Sequence, residues 1–256
     1  MILKYIFRHT NPDFLNRDLE KLTPKDIMFR KAIYHSGFKF GLLLLSTITF
    51  IGVFVPFFVD MSPYDQDISK RLLPPVWSEG GSWKYIFGTD GNGRDYLARI
   101  IYGTRVSLTI GIGAATVGML IGVTLGVIAG YFGGIVDQVV SYILTCQLAL
   151  PGILFLLTII SIVGSSLTVV ILVIGVLHWT LFLVVTRAAT QRIRNLDYIT
   201  AADAIGARKT NIIFTDILPN VLNQIIVIFT LEVGVAILAE ATISFLGLGI
   251  QPPTPS

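Results

Sequence analysis

The sequence predicts an all-α fold, a polytopic bundle of membrane-spanning helices, and two observations carry the prediction. Of the 256 residues, 53% are hydrophobic and 14% charged, and the mean hydropathy is +0.74. The two kinds of residue are also segregated along the chain. Five stretches, Phe40 to Val59, Val106 to Gly130, Val139 to Val163, Leu167 to Val185 and Val221 to Leu238, hold 20, 25, 25, 19 and 18 residues and contain one formal charge, Glu232. Each is about the 17–25 residues that cross a bilayer as a helix. Such blocks exclude a soluble globular enzyme, a disordered chain, a collagen-like fibre and a disulfide-stapled domain. An outer-membrane barrel is excluded as well, because its strands alternate apolar and polar residues over about 10 positions.

Residues 1–39 form a cytoplasmic tail in which Phe14, Leu15, Leu19, Leu22, Ile27, Met28, Phe29 and Ile33 are spaced as a helix lying along the headgroups over 12–36. The first span, 40–59, follows a segment too long for a signal-peptide n-region, with no small-x-small cleavage site after it, and is expected to be retained. Lys and Arg assign the orientation. With the N-terminus inside, segments 1–39, 131–138 and 186–220 carry 13 basic residues against 6 in 60–105, 164–166 and 239–256, as the positive-inside rule requires. The net charge of +3 and pI near 9.0 suit basic cytoplasmic ends and call for no nucleic acid.

Segment 60–105 is then an extracytoplasmic loop with two interfacial tryptophans, Trp77 and Trp83. Its stretch Phe87-Gly88-Thr89-Asp90-Gly91-Asn92-Gly93-Arg94-Asp95 is read as a turn leading into a helix from Asp95. A calcium loop fits poorly, since Arg94 stands where an oxygen ligand belongs and no Glu closes the loop. In the second span, Gly118, Gly122, Gly126 and Gly130 recur every four residues and make a smooth face for close helix approach, which bundle packing accounts for. In the third span, Pro151 removes a backbone hydrogen bond and predicts a kink. The only cysteine, Cys146, lies in the same span and is expected as a small buried residue, so no internal disulfide forms. The fourth span holds His178-Trp179, and the fifth Glu232, with Glu240 beyond it near the outer, water-accessible boundary. Intramembrane carboxylates are costly unless paired, protonated or hydrated, so both are candidate translocation-pathway residues.

The loop 187–220 predicts two short helices broken at Gly206, the first opening with Asp197 as cap and the second ending at Leu218-Pro219, where the proline starts the fifth span. Small residues at Ala201, Ala202, Ala204, Gly206 and Ala207 leave a low-relief helix able to enter a groove on another protein.

The run Ala201-Ala202-x-x-x-Gly206, followed by Ile217-Leu218-Pro219-Asn220, resembles the EAA loop of ABC-importer permeases. Phe87-Gly88-Thr89-Asp90 with Gly93-Arg94-Asp95, Arg99, Gly103, Arg105 and Ser107-Leu108 resembles the outer loop and second span of the dipeptide, oligopeptide and nickel permease family. So does Glu240-Ala241 with Ser244-Phe245-Leu246-Gly247-Leu248-Gly249 and Gln251-Pro252-Pro253-Thr254-Pro255-Ser256. The resemblance implies the transmembrane domain of a type I ABC importer in a bacterial or archaeal cytoplasmic membrane, with 106–256 as its permease core. Its implied partners are a second, different permease subunit, two ATPase subunits, an extracytoplasmic solute-binding protein and membrane lipid. Ala201, Ala202, Asp203, Ala204, Gly206 and Ala207 would contact the ATPase, and Leu218 and Pro219 would shape the loop. No cofactor is expected on this chain, and ATP with Mg belongs to the ATPases. The sequence contains no Gly-Lys dipeptide and hence no phosphate loop, so the chain is not expected to be an enzyme.

Two departures stand out. Thr200 occupies the position of the family's Glu, and the family's sixth span would follow Ser256. The motifs are shared by importers of peptides, nickel complexes, metallophores and glycosides, short peptides being the common case. Two other readings compete: a proton-coupled secondary transporter using Glu232, Glu240 and His178, and an intramembrane enzyme. The second lacks His-Glu-x-x-His, and His9, His35 and His178 are scattered along the chain.

Overall fold

The computed structural model describes residues 33–58 and 62–250, and these are helical apart from the loop after the first span and short connections. The surface helix expected over 12–36 lies almost wholly outside the described residues, as does the Gln251–Ser256 segment. Two units are distinguished, with their boundary at Val59 and Asp60.

The first unit contains α1, Ser36–Phe58, of which only Gly52 is buried within the chain. The helix is apolar all round, as lipid requires. Its hydroxyls are satisfied locally, Ser46 and Thr47 both donating to the Leu43 carbonyl at 2.9 and 2.8 Å.

The second unit is built around α2, Tyr96–Phe132, a 37-residue helix that extends the predicted second span at both ends. Asp95 caps it, its carboxylate accepting from the N–H groups of Leu97 and Ala98 at 2.9 and 3.2 Å. After a single hinge residue, Gly133, comes α3, Gly134–Leu148, and then α4, Gly152–Val163, bent from α3 by 80°. Pro151 therefore breaks the third span where a kink was expected. Pro lacks the N–H to continue α3, it pushes Leu150 out of helical geometry, and α4 restarts with Pro151 as its N-cap, whose carbonyl accepts from Leu154 at 3.0 Å.

The fourth span is likewise divided, into α5, Leu167–Leu177, and α6, Trp179–Arg194. His178 separates them with its N–H shared between the Ile174 and Gly175 carbonyls, at 3.0 and 3.2 Å, and the two helices together still make one 28-residue run. α7, Asp197–Ala204, follows. The last helical run starts at Lys209, passes through a π-helical segment, Ile212–Ile217, and continues as α8, Leu218–Phe245. Pro219 therefore does not begin this span. The helix is already running, and the wider π turn, in which the Leu218 N–H reaches back to Ile213, accommodates a ring that ordinary α geometry would drive into the carbonyl four residues before.

Among the described residues, four helices are thus long and apolar enough to cross a membrane, Ser36–Phe58, Tyr96–Phe132, Leu167–Arg194 and Lys209–Phe245, and the bent α3–α4 pair makes a fifth span if counted as one. α2 packs along α5, α6 and α8. The glycine face lies against α5 and α6: a Cβ on Gly118 would meet the carbonyls of Gly175 and His178 at 3.2 Å, and one on Gly130 the Thr190 Cβ at 2.7 Å. The four glycines are packing residues, as expected. Three apolar clusters result. One joins Ile110 and Ala114 of α2 to Leu156, Ile160, Val170, Ile174 and Ile243. A second gathers Trp179 and Leu183 against Ala129 and Val140. The third, around Phe182, Ile193, Ile199, Ile212 and Ile217, anchors α7 to the start of the last helix.

Candidate functional site

The described residues present three candidate regions, and the first is the α7 turn. The N-cap of α7 is Leu196, not Asp197, and no side-chain cap hydrogen bond forms, contrary to expectation. The C-terminus is built as the sequence suggested. Gly206 adopts φ +82°, its N–H donates to the Asp203 carbonyl at 3.0 Å, and the Ala207 N–H donates to the Ala202 carbonyl at 3.0 Å. This is a Schellman motif, which needs a left-handed residue and so favours glycine. The small residues divide into two sets. Ala202 and Ala207 pack onto the cluster around Ile199 and Ile212, while Ala201, Asp203, Ala204 and Gly206 are exposed. Sequence reasoning missed Ile205, whose side chain is 86% exposed at the tip of the turn. The signal was present, an apolar residue directly before the glycine, but its direction depends on the turn geometry. Behind α7, Tyr131, Arg194, Thr200, Asp203 and Lys209 line a small polar recess. Leu218 is partly buried beneath the loop and Pro219 is exposed.

The second region is a polar belt across the bundle at the level of the helix breaks. Glu232 of α8 is 6% exposed and meets His178 Nδ1 through Oε2 at 2.6 Å. Gln147 of α3 donates to the Leu177 carbonyl at 2.8 Å and accepts from the Trp179 indole N–H. Burial of such groups in an apolar bundle is sustainable because each has a partner. Glu240 departs from expectation: only 2% exposed, it is packed within the bundle and accepts from Ser244 at 2.6 Å. The structure does not join the two acids, since Glu232 is engaged by His178 and Glu240 by Ser244, and the proton-coupled secondary transporter reading gains no support. Cys146 is also displaced from expectation, exposed beside the α3–α4 break. Near the other end of α6, Arg187 grips Asp137 of α3 with both Nε and Nη2, the second contact at 2.6 Å. Among the described residues no group of three His, Cys, Asp or Glu side chains is arranged to hold a metal ion.

The third region is the loop before α2. Asp90 organises it, accepting from the backbone N–H groups of Asn92 and Arg94 at 2.8 and 3.0 Å and pairing with Arg94 at 2.8 Å and Arg99 at 3.0 Å. Burial disfavours its charge, but these backbone bonds and the Arg94 guanidinium outweigh burial and hold the carboxyl below its usual range. Gly93, at φ +75°, passes so close to the Asp67 carbonyl that no side chain fits. The segment is the structural turn the sequence suggested. Trp77 and Trp83 are both exposed on it, Trp77 edge-on to Phe87.

A long glycine-faced helix, two broken spans and further apolar helices long enough to cross a bilayer define an α-helical multi-pass membrane protein. Residues 122–256 match the model of the family described as binding-protein-dependent transport system inner membrane component. Curated relatives extend the match beyond this region. The chain is 38% identical to the dipeptide transport system permease protein DppC of Haemophilus influenzae, over 86% of this chain and 74% of the relative. It is 35% identical to the di/tripeptide transport system permease protein DppC of Pseudomonas aeruginosa, over 91% and 77%. It is 37% identical to the dipeptide transport system permease protein DppC of Escherichia coli K12, over 91% and 78%. The chain belongs to the binding-protein-dependent transport system inner membrane component family, the permeases of ABC importers.

Proposed function

We propose that the chain is one of two different permease subunits of an ATP-driven importer of di- and tripeptides, and that the α7 turn is its coupling element. The peptide cargo rests on the relatives, which are named for dipeptide and di/tripeptide transport. The partners are a second permease, two cytoplasmic ATPases holding ATP and Mg, and an extracytoplasmic solute-binding protein. The N-terminus and the α7 turn lie on the cytoplasmic side.

The observation that carries the coupling role is the mounting of the turn. Ala201, Ala204, Ile205 and Gly206 are exposed, with Asp203 beside them, while Ile199, Ala202 and Ala207 fasten the same turn to the cluster at the base of the last helix. A partner that holds Ile205 in an apolar pocket therefore moves Ile212 and Ile217 with it, and the continuous run Lys209–Phe245 carries that displacement through the membrane. Ala202 and Ala207 face inward, so they support the contact and do not make it. Thr200, where the family has Glu, is exposed and returns its hydroxyl toward the Leu196 carbonyl at 3.4 Å. The contact is then chiefly apolar, with Asp203 as its exposed acid.

The test is Gly206→Pro in the assembled importer. Proline fixes φ near −65° and lacks the N–H that bonds Asp203, so the turn cannot form. Transport and transport-coupled ATP hydrolysis are expected to disappear while the subunit stays membrane-inserted. Normal peptide uptake by this variant would refute the coupling role.

A further inference from the structure

Beside the 80° break between α3 and α4 lies a partly enclosed cavity of about 720 Å3, a size suited to small ligands. Leu148, Ile153 and Leu156 give it an aliphatic wall, and Gln147, His178 and Thr180 supply polar groups. The polar groups differ in what they have left to offer. Gln147 spends both ends of its amide on Leu177 and Trp179. His178 spends Nδ1 on Glu232, and among the described residues neither its Nε2 nor the Thr180 hydroxyl has a protein partner.

Glu232 sets the chemistry of that free nitrogen. It is buried behind the imidazole and does not line the cavity. With Glu232 Oε2 2.6 Å from Nδ1, that nitrogen is engaged and Nε2 is the ring atom left to hydrogen-bond a ligand. The neighbouring hydroxyl both donates and accepts. A ring nitrogen and a hydroxyl above an aliphatic wall match a peptide, whose backbone offers both N–H and carbonyl groups to Nε2 and Thr180 and whose side chains can lie against the leucines and isoleucine. An acyl chain would use neither polar group.

Building on the importer reading, we infer that this cavity is a peptide-contact site on the translocation pathway, with His178 as the substrate-touching residue and Glu232 as the positioning residue behind it. The pathway group is thus the imidazole in the wall, and the carboxylate acts through it. Because the contacts address the peptide backbone, the site accepts different side chains.

The experiment uses the complete importer in proteoliposomes with its binding protein, and L-alanyl-L-alanine as probe. ATP-driven uptake is measured for wild type, His178→Ala, His178→Gln and Glu232→Gln. In parallel, alkylation of Cys146, the only cysteine of this chain and a lining residue of the cavity, is followed by mass spectrometry of its peptide during turnover. The expected result is a KM raised about tenfold in His178→Ala with kcat changed much less, partial recovery in His178→Gln, and severalfold slower Cys146 alkylation in wild type when the dipeptide is present. Unchanged KM in both His178 variants, or alkylation indifferent to dipeptide, overturns the site while leaving an active importer. Alkylation that responds only to removal of lipid assigns the cavity to an acyl chain and overturns it too. If the variants fail to assemble, the wild-type alkylation result decides by itself. Absence of ATP-driven dipeptide uptake in wild type would instead remove the importer reading, and this inference with it.

Discussion

Gly122→Ala tests the packing that holds the bundle together. A Cβ built at Gly122 would lie 2.5 Å from the Phe182 Cβ and 2.9 Å from the Leu183 nitrogen, and would press on the Trp179 carbonyl. Ordinary van der Waals contact begins at 3.4 Å, so α6 has to withdraw from α2 by roughly 1 Å at this point. Two of the obstructing atoms are backbone, and no rotamer change relieves them. Withdrawal also loosens the contacts of Gly118, Gly126 and Gly130 on the same face, since the helices are rigid over this length. Overpacking costs about 1–3 kcal/mol, and a backbone obstruction belongs at the upper end, about 3 kcal/mol. Alanine's better helix propensity offsets less than about 1 kcal/mol of that. Gly234→Ala is the matched control, because its Cβ meets nothing within 4 Å and α8 is helical there. Thermal unfolding in detergent should show Gly122→Ala clearly less stable than wild type and Gly234→Ala equal or slightly more stable. Equal stability of the two variants would refute the argument that the glycine face is required for close approach.

Asp90→Asn removes the charge paired with Arg94 and Arg99 and should destabilise the outer loop by on the order of 2 kcal/mol, seen as faster tryptic cleavage at those arginines. Because the Asp90 pKa is depressed in the fold, its stabilisation is complete above the unfolded value near ~3.9 and is lost as pH falls through the lower folded value. Wild-type protection should therefore fade only in strong acid, and the Asn variant should show a weaker dependence there. Thr190→Val should be neutral or stabilising, within about 1 kcal/mol by thermal unfolding. The Thr190 hydroxyl is fully buried without a partner among the described residues, and the isostere removes an unsatisfied group while keeping the methyl that fills the Gly130 groove.

Much of the fold was legible because its signals are local. Apolar runs announce spans by length alone, the four-residue glycine spacing announces a packing face, Asp95 announces a cap, and Gly206 announces a left-handed turn. The alternatives that competed at the sequence level differ in what they ask of side chains across the bundle. There the local signal is weak. An isolated glutamate in an apolar run reads as functional wherever it points, and it took three-dimensional packing to put Glu232 behind His178 and to seal Glu240 against Ser244.

By itself, then, the sequence determined an all-α membrane protein, the order of its spans, the Asp90 turn and the small-residue turn at Gly206, because each depends on neighbours a few residues apart. Tertiary structure decided whether Pro151 kinks or breaks a span, how a π turn carries Pro219 inside a running helix, which face of the alanine-rich turn is free, and where Ile205 and Cys146 point. Those outcomes depend on what packs against each residue from elements far away in the chain. A proline's consequences are set by whether neighbouring helices can absorb the freed carbonyl and the bend, and a side chain's role by which of its atoms the surrounding helices leave unpartnered.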